Sequence, residues 1–176
     1  MRRDLAEKAG ITEPPETMEE FADYMRAVAA LETDDAGNKI WGGSFDTADW
    51  YIAASHFMPF VWAFGGREFD EEGKVAINSP ETLAALKYWK ELADAGVMGP
   101  VGSDVRDMRQ LFALGQTGFT TDANVMKGIY RSASGLGEEV DDLWTWFLPP
   151  VVPGVTEDPQ TVLWGQRVVV FRGSEH

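Results

Sequence analysis

Residues Trp62 to Gly96 read WAFGGREFDEEGKVAINSPETLAALKYWKELADAG, a run that decides the local architecture. Gly65-Gly66 closes an aromatic segment, since two glycines let the chain reverse where a Cβ would clash. Arg67 to Phe69 and Lys74 to Ile77 are predicted to pair as short strands around Asp70-Glu71-Glu72-Gly73, a small β-hairpin. Ser79-Pro80-Glu81 then starts a helix. The Ser hydroxyl can cap an orphan N–H, Pro fits the first helical position, and the carboxylate meets the positive end of the helix dipole. Leu83, Leu86, Trp89 or Lys90, and Ala93 follow at helical spacing as the expected buried face, and Gly96 stops the helix.

Working outward toward the N-terminus, Arg3 to Gly10 reads as a short helix. Thr12 to Glu16 is an extended linker, because each Pro keeps its predecessor out of the α region. Thr17-Met18-Glu19-Glu20 is a capping box, and Phe21, Met25 and Val28 set the apolar face of the helix it opens. Ile40 to Phe45 is a predicted strand. Asp46 to Phe64 is rich in aromatic residues and is expected to be a helix broken at or before Pro59. On the C-terminal side, Ser103-Asp104 caps a helix carrying Val105, Met108 and Phe112. Thr117 to Thr121 is a strand, Asp122-Ala123-Asn124 leads into a helix with Val125, Met126 and Ile129, and Leu143 to Leu148 is a strand. Val151 to Gln160 is a loop, and Val162 to Phe171 a last apolar strand. Strands alternating with amphipathic helices predict an α/β layer sandwich, one domain over residues 1–176.

The charge balance excludes whole classes of function. Fifteen Lys and Arg face 29 Asp and Glu, a net charge of −14, which argues against nucleic acid and anionic membranes as partners. Zero cysteines remove disulfides, thiolate nucleophiles and Cys-based zinc sites. The two histidines, His56 and His176, make no metal pair, so neither metal nor cofactor is expected. There is no Gly-x-Ser-x-Gly elbow and no phosphate-binding glycine loop. The N-terminus, Met-Arg-Arg-Asp-Leu-Ala-Glu, lacks the apolar core of a signal peptide, and the chain stops straight after an apolar strand, so both ends look cut.

Seven Trp in 176 residues remain as the positive signal. Trp62, Phe64, Trp89 and alternate members of Trp144-Thr145-Trp146-Phe147 read as core. A carbohydrate site needs flat aromatics for the C–H faces of a sugar beside polar side chains for its hydroxyls. Trp50 with His56, Asp122 with Asn124, and Trp164 with Gln166 supply such mixtures near predicted strand or helix ends, where clefts of α/β folds lie. His56 itself reads as a packed histidine. The alternative from another class is a carbohydrate-active hydrolase domain using a carboxylate pair.

The order of motifs resembles the family 1 extracellular solute-binding proteins, the sugar-binding subunits of ABC importers. The resemblance rests on Gly65-Gly66, the acidic turn closed by Gly73-Lys74, and Asn78-Ser79-Pro80-Glu81. Arg2-Arg3-Asp4-Leu5, Pro14-Pro15-Glu16-Thr17, Leu111 to Asp122, Leu148-Pro149-Pro150 and Val168 to His176 extend it over nearly the whole chain. It implies a three-layer α/β/α lobe of a periplasmic-binding-protein type II (Venus-flytrap) fold, mainly the second lobe. Residues 162–176 would cross toward a first lobe absent from this sequence. It also implies non-catalytic capture of a sugar outside the cytoplasm, periplasmic or lipid-anchored, with ABC permease subunits as partners. Two departures bear on the ligand. Ala123-Asn124-Val125 stands where the family usually has Gly-Pro-Trp, and Gln166-Arg167 stands at its Gly-Trp-Gly before the crossing strand, with Trp164 displaced upstream. A more polar or acidic sugar derivative would then be held by Asn124, Gln166 and Arg167.

Overall fold

The computed structural model describes residues 1–48, 50–163 and 172–173. The chain runs α1 (Arg3–Lys8), α2 (Met18–Ala29), β1 (Trp41–Gly43), α3 (Trp50–Ala63), α4 (Pro80–Asp94), α5 (Val105–Ala113), β2 (Thr117–Phe119) and α6 (Met126–Ser134). A 3₁₀ helix, Gly137–Leu143, follows. The predicted strand Val162 to Phe171 lies almost wholly outside the described residues.

β1 and β2 are parallel, with Trp41 opposite Thr117 and Gly43 opposite Phe119. Isolated bridges widen this pair on both sides. Met98 joins Gly43 in parallel, while Arg2 donates its backbone N–H to Gly118 O at 2.8 Å and bridges Trp144 antiparallel. Of the expected strand Leu143 to Leu148, Leu143 ends the 3₁₀ helix and the rest is an extended segment whose ladder bonds are at Trp144 and Thr145, against residues 1–2. The predicted hairpin is likewise reduced to one bridge, Phe69 to Val75, below a turn in which Asp70 N–H bonds Lys74 O at 2.9 Å. Both bridge side chains are exposed, and a two-stranded ribbon with no buried face has little to hold it.

The helix starts follow their local chemistry. Thr17 Oγ1 accepts the Glu20 N–H and the Glu20 carboxylate accepts the Thr17 N–H, a reciprocal capping box. Ser79 caps α4 with Pro80 at its first turn, and Asp104 caps α5 through the N–H groups of Arg106 and Asp107. α4 differs from expectation in its buried face. Thr82, Ala85 and Leu92 turn inward with Trp89 half-buried, whereas Leu83 and Leu86 are exposed. α3 also differs: it continues through Pro59 without a break. An interior Pro costs about 3 kcal/mol. Here His56, Pro59, Phe60, Val61 and Ala63 are all buried, so packing on the core offsets that loss.

Two hydrophobic clusters flank the sheet. The larger joins α2, α3, α4 and the strands, with Phe21 edge-on to Phe119 at 5.2 Å and Phe60 edge-on to Trp89 at 5.3 Å. Its closest approach is at Gly42, where a Cβ would stand 2.1 Å from Met25 O, so only glycine lets α2 lie this near β1. The smaller joins Phe112, Ala113, Met126, Tyr130, Val140 and Trp144.

Candidate functional site

The site is built where β1 and β2 end. Beyond Gly43, Ser44 donates its N–H to Phe119 O at 2.9 Å, and Thr120 returns its hydroxyl to Ser44 O at 2.8 Å. This ties the exit of one strand to the other and leaves Thr120 to Val125 as a turn leading into α6. Asp122 lies at its centre. Its side chain is only 3% exposed, and Arg109 of α5 meets it with a two-pronged ion pair, 2.7 Å in each prong. Asp122 Oδ1 also accepts the Ala123 N–H at 2.8 Å. The pairing pushes the Arg109 guanidinium above its ordinary value. Three of the carboxylate's acceptor positions are therefore engaged within the protein, and its main work is to fix the turn.

The turn opens onto a cavity of about 710 Å³. Thr120, Thr121, Asp122 and Asn124 supply its polar side, with Asn124 exposed. Phe112, Met126, Tyr130 and Trp144 line a second side, and Trp146 to Pro150 a third. Trp144 and Trp146 share one face of the extended segment, as period two requires, and meet edge-on at 5.2 Å. Trp144 is buried, but Trp146 is 51% exposed, which leaves an indole face available to a solute. Phe147 points the other way, into the larger core beside Phe21 and Phe119.

Of the residues expected from sequence, Asp122 and Asn124 are brought together on this cavity. Trp50 opens α3, and its side chain lies outside the described set, as do Trp164, Gln166 and Arg167 entirely. His56 is buried, and its Nδ1 accepts the Asp46 N–H at 3.1 Å, which makes it a packed histidine. Burial holds its pKa below the ordinary value; the charges of Asp122 and Asp46 act upward and that of Arg109 downward. Sequence reasoning missed Arg109 and Trp146. Arg109 lies 13 residues before Asp122 on a different element, so no local pattern joins them. Trp146 was detectable by alternation, but its segment read as core. Among the described residues no group of three metal-ligating side chains occurs.

Comparison with known proteins gives this geometry its place. A relative from Brucella abortus (strain 2308) is 30% identical over 123 residues, 69% of this chain and 28% of the relative's own length. A solute-binding protein of an ABC transporter from Thermotoga lettingae TMO, solved with α-D-tagatose, superposes with a TM-score of 0.72 at 23% identity. That match covers 85% of this chain and 38% of the other. Maltose-bound MalE3 of T. maritima superposes with a TM-score of 0.71 at 26% identity, over 88% of this chain and 38% of its own. The chain thus spans well under half the length of these proteins. Its fold is the periplasmic-binding-protein type II fold. The model of the bacterial extracellular solute-binding protein family matches residues 1–176, and the chain belongs to that family.

Proposed function

We propose that this chain is the second, substrate-gripping lobe of an ABC-importer binding protein that captures a neutral sugar or sugar-like polyol outside the cytoplasm. One observation carries the reading. A single cavity sets the hydroxyl- and amide-bearing turn Thr120 to Asn124 across from the exposed indole of Trp146, the combination that an apolar C–H face with a hydroxyl edge requires. Asp122 is the only charged side chain among the described lining residues, and Arg109 already neutralises it. Among the described lining residues an acidic sugar would find no free cation, so this wall suits a neutral solute, and the acidic derivative considered from sequence rests on Arg167, outside the described residues. The ligands of the tagatose- and maltose-bound neighbours belong to the same class.

Asn124 hydrogen-bonds the solute in this reading, Trp146 stacks on it, and Asp122 orients the turn. The family resemblance adds Trp50, Trp164, Gln166 and Arg167 as further candidate contacts, and closure of two lobes on the solute presents it to the permease. Binding and release suffice. A glycosidase would need two carboxyl groups flanking the bond it cleaves, and the described lining offers Asp122 alone.

Isothermal titration of the full-length protein against D-tagatose, maltose, D-mannitol and D-glucuronate tests this. The expected result is saturable binding of at least one neutral compound, recovered intact, and none of glucuronate. Tight binding of glucuronate alone, or hydrolysis of maltose, would overturn it.

A further inference from the structure

The turn accounts for only one wall of the cavity, and another wall is built on two residues whose polar atoms lack a partner among the described residues. Tyr130 Oη and Trp144 Nε1 are buried and have no hydrogen-bond partner among the described residues. Both residues line the cavity; Tyr130 is wholly buried and Trp144 more than nine-tenths so. Their rings pack edge-on at 5.8 Å, and both pack against Phe112, so neither can swing away to find a partner elsewhere. An orphaned buried donor costs about 1–3 kcal/mol, and two on one wall is an expense that a protein seldom carries without use.

We infer that Tyr130 Oη and Trp144 Nε1 form a buried hydroxyl-recognition subsite, which takes one hydroxyl of the solute at the floor of the cavity. The inference rests on the proposed capture of a polyhydroxyl solute and adds the residues that read it at depth. Trp144 can only donate, and Tyr130 can donate or accept. A solute hydroxyl complements that pair, because its oxygen accepts from the indole N–H while its proton goes to the phenol oxygen. The placement on α6 fits. Met126 and Tyr130 are four residues apart on one buried face, so Tyr130 lies about 6 Å along the axis beyond Met126 at the helix start. The phenol is kept protonated, since burial pushes its pKa far up and the nearby Asp122 charge adds to this.

A site that binds a hydroxyl through otherwise unsatisfied groups rejects the analogue lacking it, because the groups are then orphaned again. The test is Tyr130→Phe in the full-length protein, titrated with whichever of D-tagatose, maltose and D-mannitol the wild type binds, and with monodeoxy analogues of that compound. The expected result has three parts: an affinity loss of about tenfold, a melting temperature without ligand that is unchanged or higher, and one deoxy analogue that binds wild type and variant equally. Equal affinity of wild type and variant for the parent compound would overturn the subsite and leave the proposed function standing; an internal water on these atoms gives that outcome. A loss that no deoxy analogue abolishes would also overturn it, by showing Tyr130 to be a positioning residue. If the wild type bound none of the compounds, the underlying reading would fall and this one with it.

Discussion

Arg109 and Asp122 form a pair of unequal exposure: 22% of the arginine side chain meets solvent, against 3% of the aspartate. The burden of desolvation therefore rests on the carboxylate, and the guanidinium is what makes its burial tolerable. Removing the arginine leaves a buried charge with, among the described residues, only the Ala123 N–H to satisfy it. Arg109→Met should lower stability by about 2–3 kcal/mol, somewhat less than for a wholly buried pair because Arg109 keeps contact with water. Arg109→Lys should recover less than half of that, since an ammonium cannot bond both oxygens in one plane. Urea unfolding of the two variants beside the wild type measures both values.

Trp146 should separate stability from binding, whereas Trp144 serves both the smaller core and the inferred subsite. Trp144→Ala removes a buried ring from the smaller core and should cost roughly 3–5 kcal/mol. Trp146→Ala removes a half-exposed ring and should cost under about 1.5 kcal/mol, yet weaken solute affinity in the full-length protein tenfold or more, about 1.4 kcal/mol. Calorimetric melting and titration of both variants decide the matter. The opposite ranking would take Trp146 out of the site.

Gly42→Ala places a methyl group 2.1 Å from the Met25 carbonyl oxygen, and backbone rather than a flexible side chain must move. A loss of at least about 3 kcal/mol is expected, at the upper end of overpacking effects. Leu86→Gln, on the exposed side of α4, should stay within about 0.5 kcal/mol. The two changes have similar standing in the sequence and opposite standing in the structure, and thermal unfolding distinguishes them.

His56 predicts an acid-side decline in stability. Its folded pKa lies below its ordinary value of 6.5, so the unfolded chain binds the proton more readily. Its contribution is present in full above about pH 6.5 and is lost as pH falls below it, toward the depressed folded value. His56→Gln isolates the histidine part. The difference in melting temperature between wild type and variant should change between pH 7.5 and 5.5, and a constant difference would contradict the assignment.

Features held in a few consecutive residues were legible in the sequence. The Thr17–Glu20 capping box, the Ser79-Pro80 helix start and the Asp104 cap are local bargains between side chain and backbone, and each is present. Which side of a helix is buried proved harder. Leu83 and Leu86 are the more apolar residues of α4, yet Thr82, Ala85 and Leu92 face the core because the packing partner, α3, selects the side. Pro59 misled for the same reason: a local penalty was outweighed by packing of one helix face on the core. In the site, the turn around Asp122 and Asn124 was readable, whereas Arg109 and Trp144 come from other elements and meet it only through the fold.

The tethers on that turn also set how binding is spent. Thr120 is fastened to Ser44 and Asp122 to Arg109 before any solute arrives. Fixing a free backbone costs about 1–2 kcal/mol per residue, and a slack loop of this length would consume several contacts' worth of affinity on ordering alone. Here that entropy is already lost in folding, so under the proposed solute capture the turn adds little ordering cost to binding, and selectivity would rest on rigid fit rather than on adaptation.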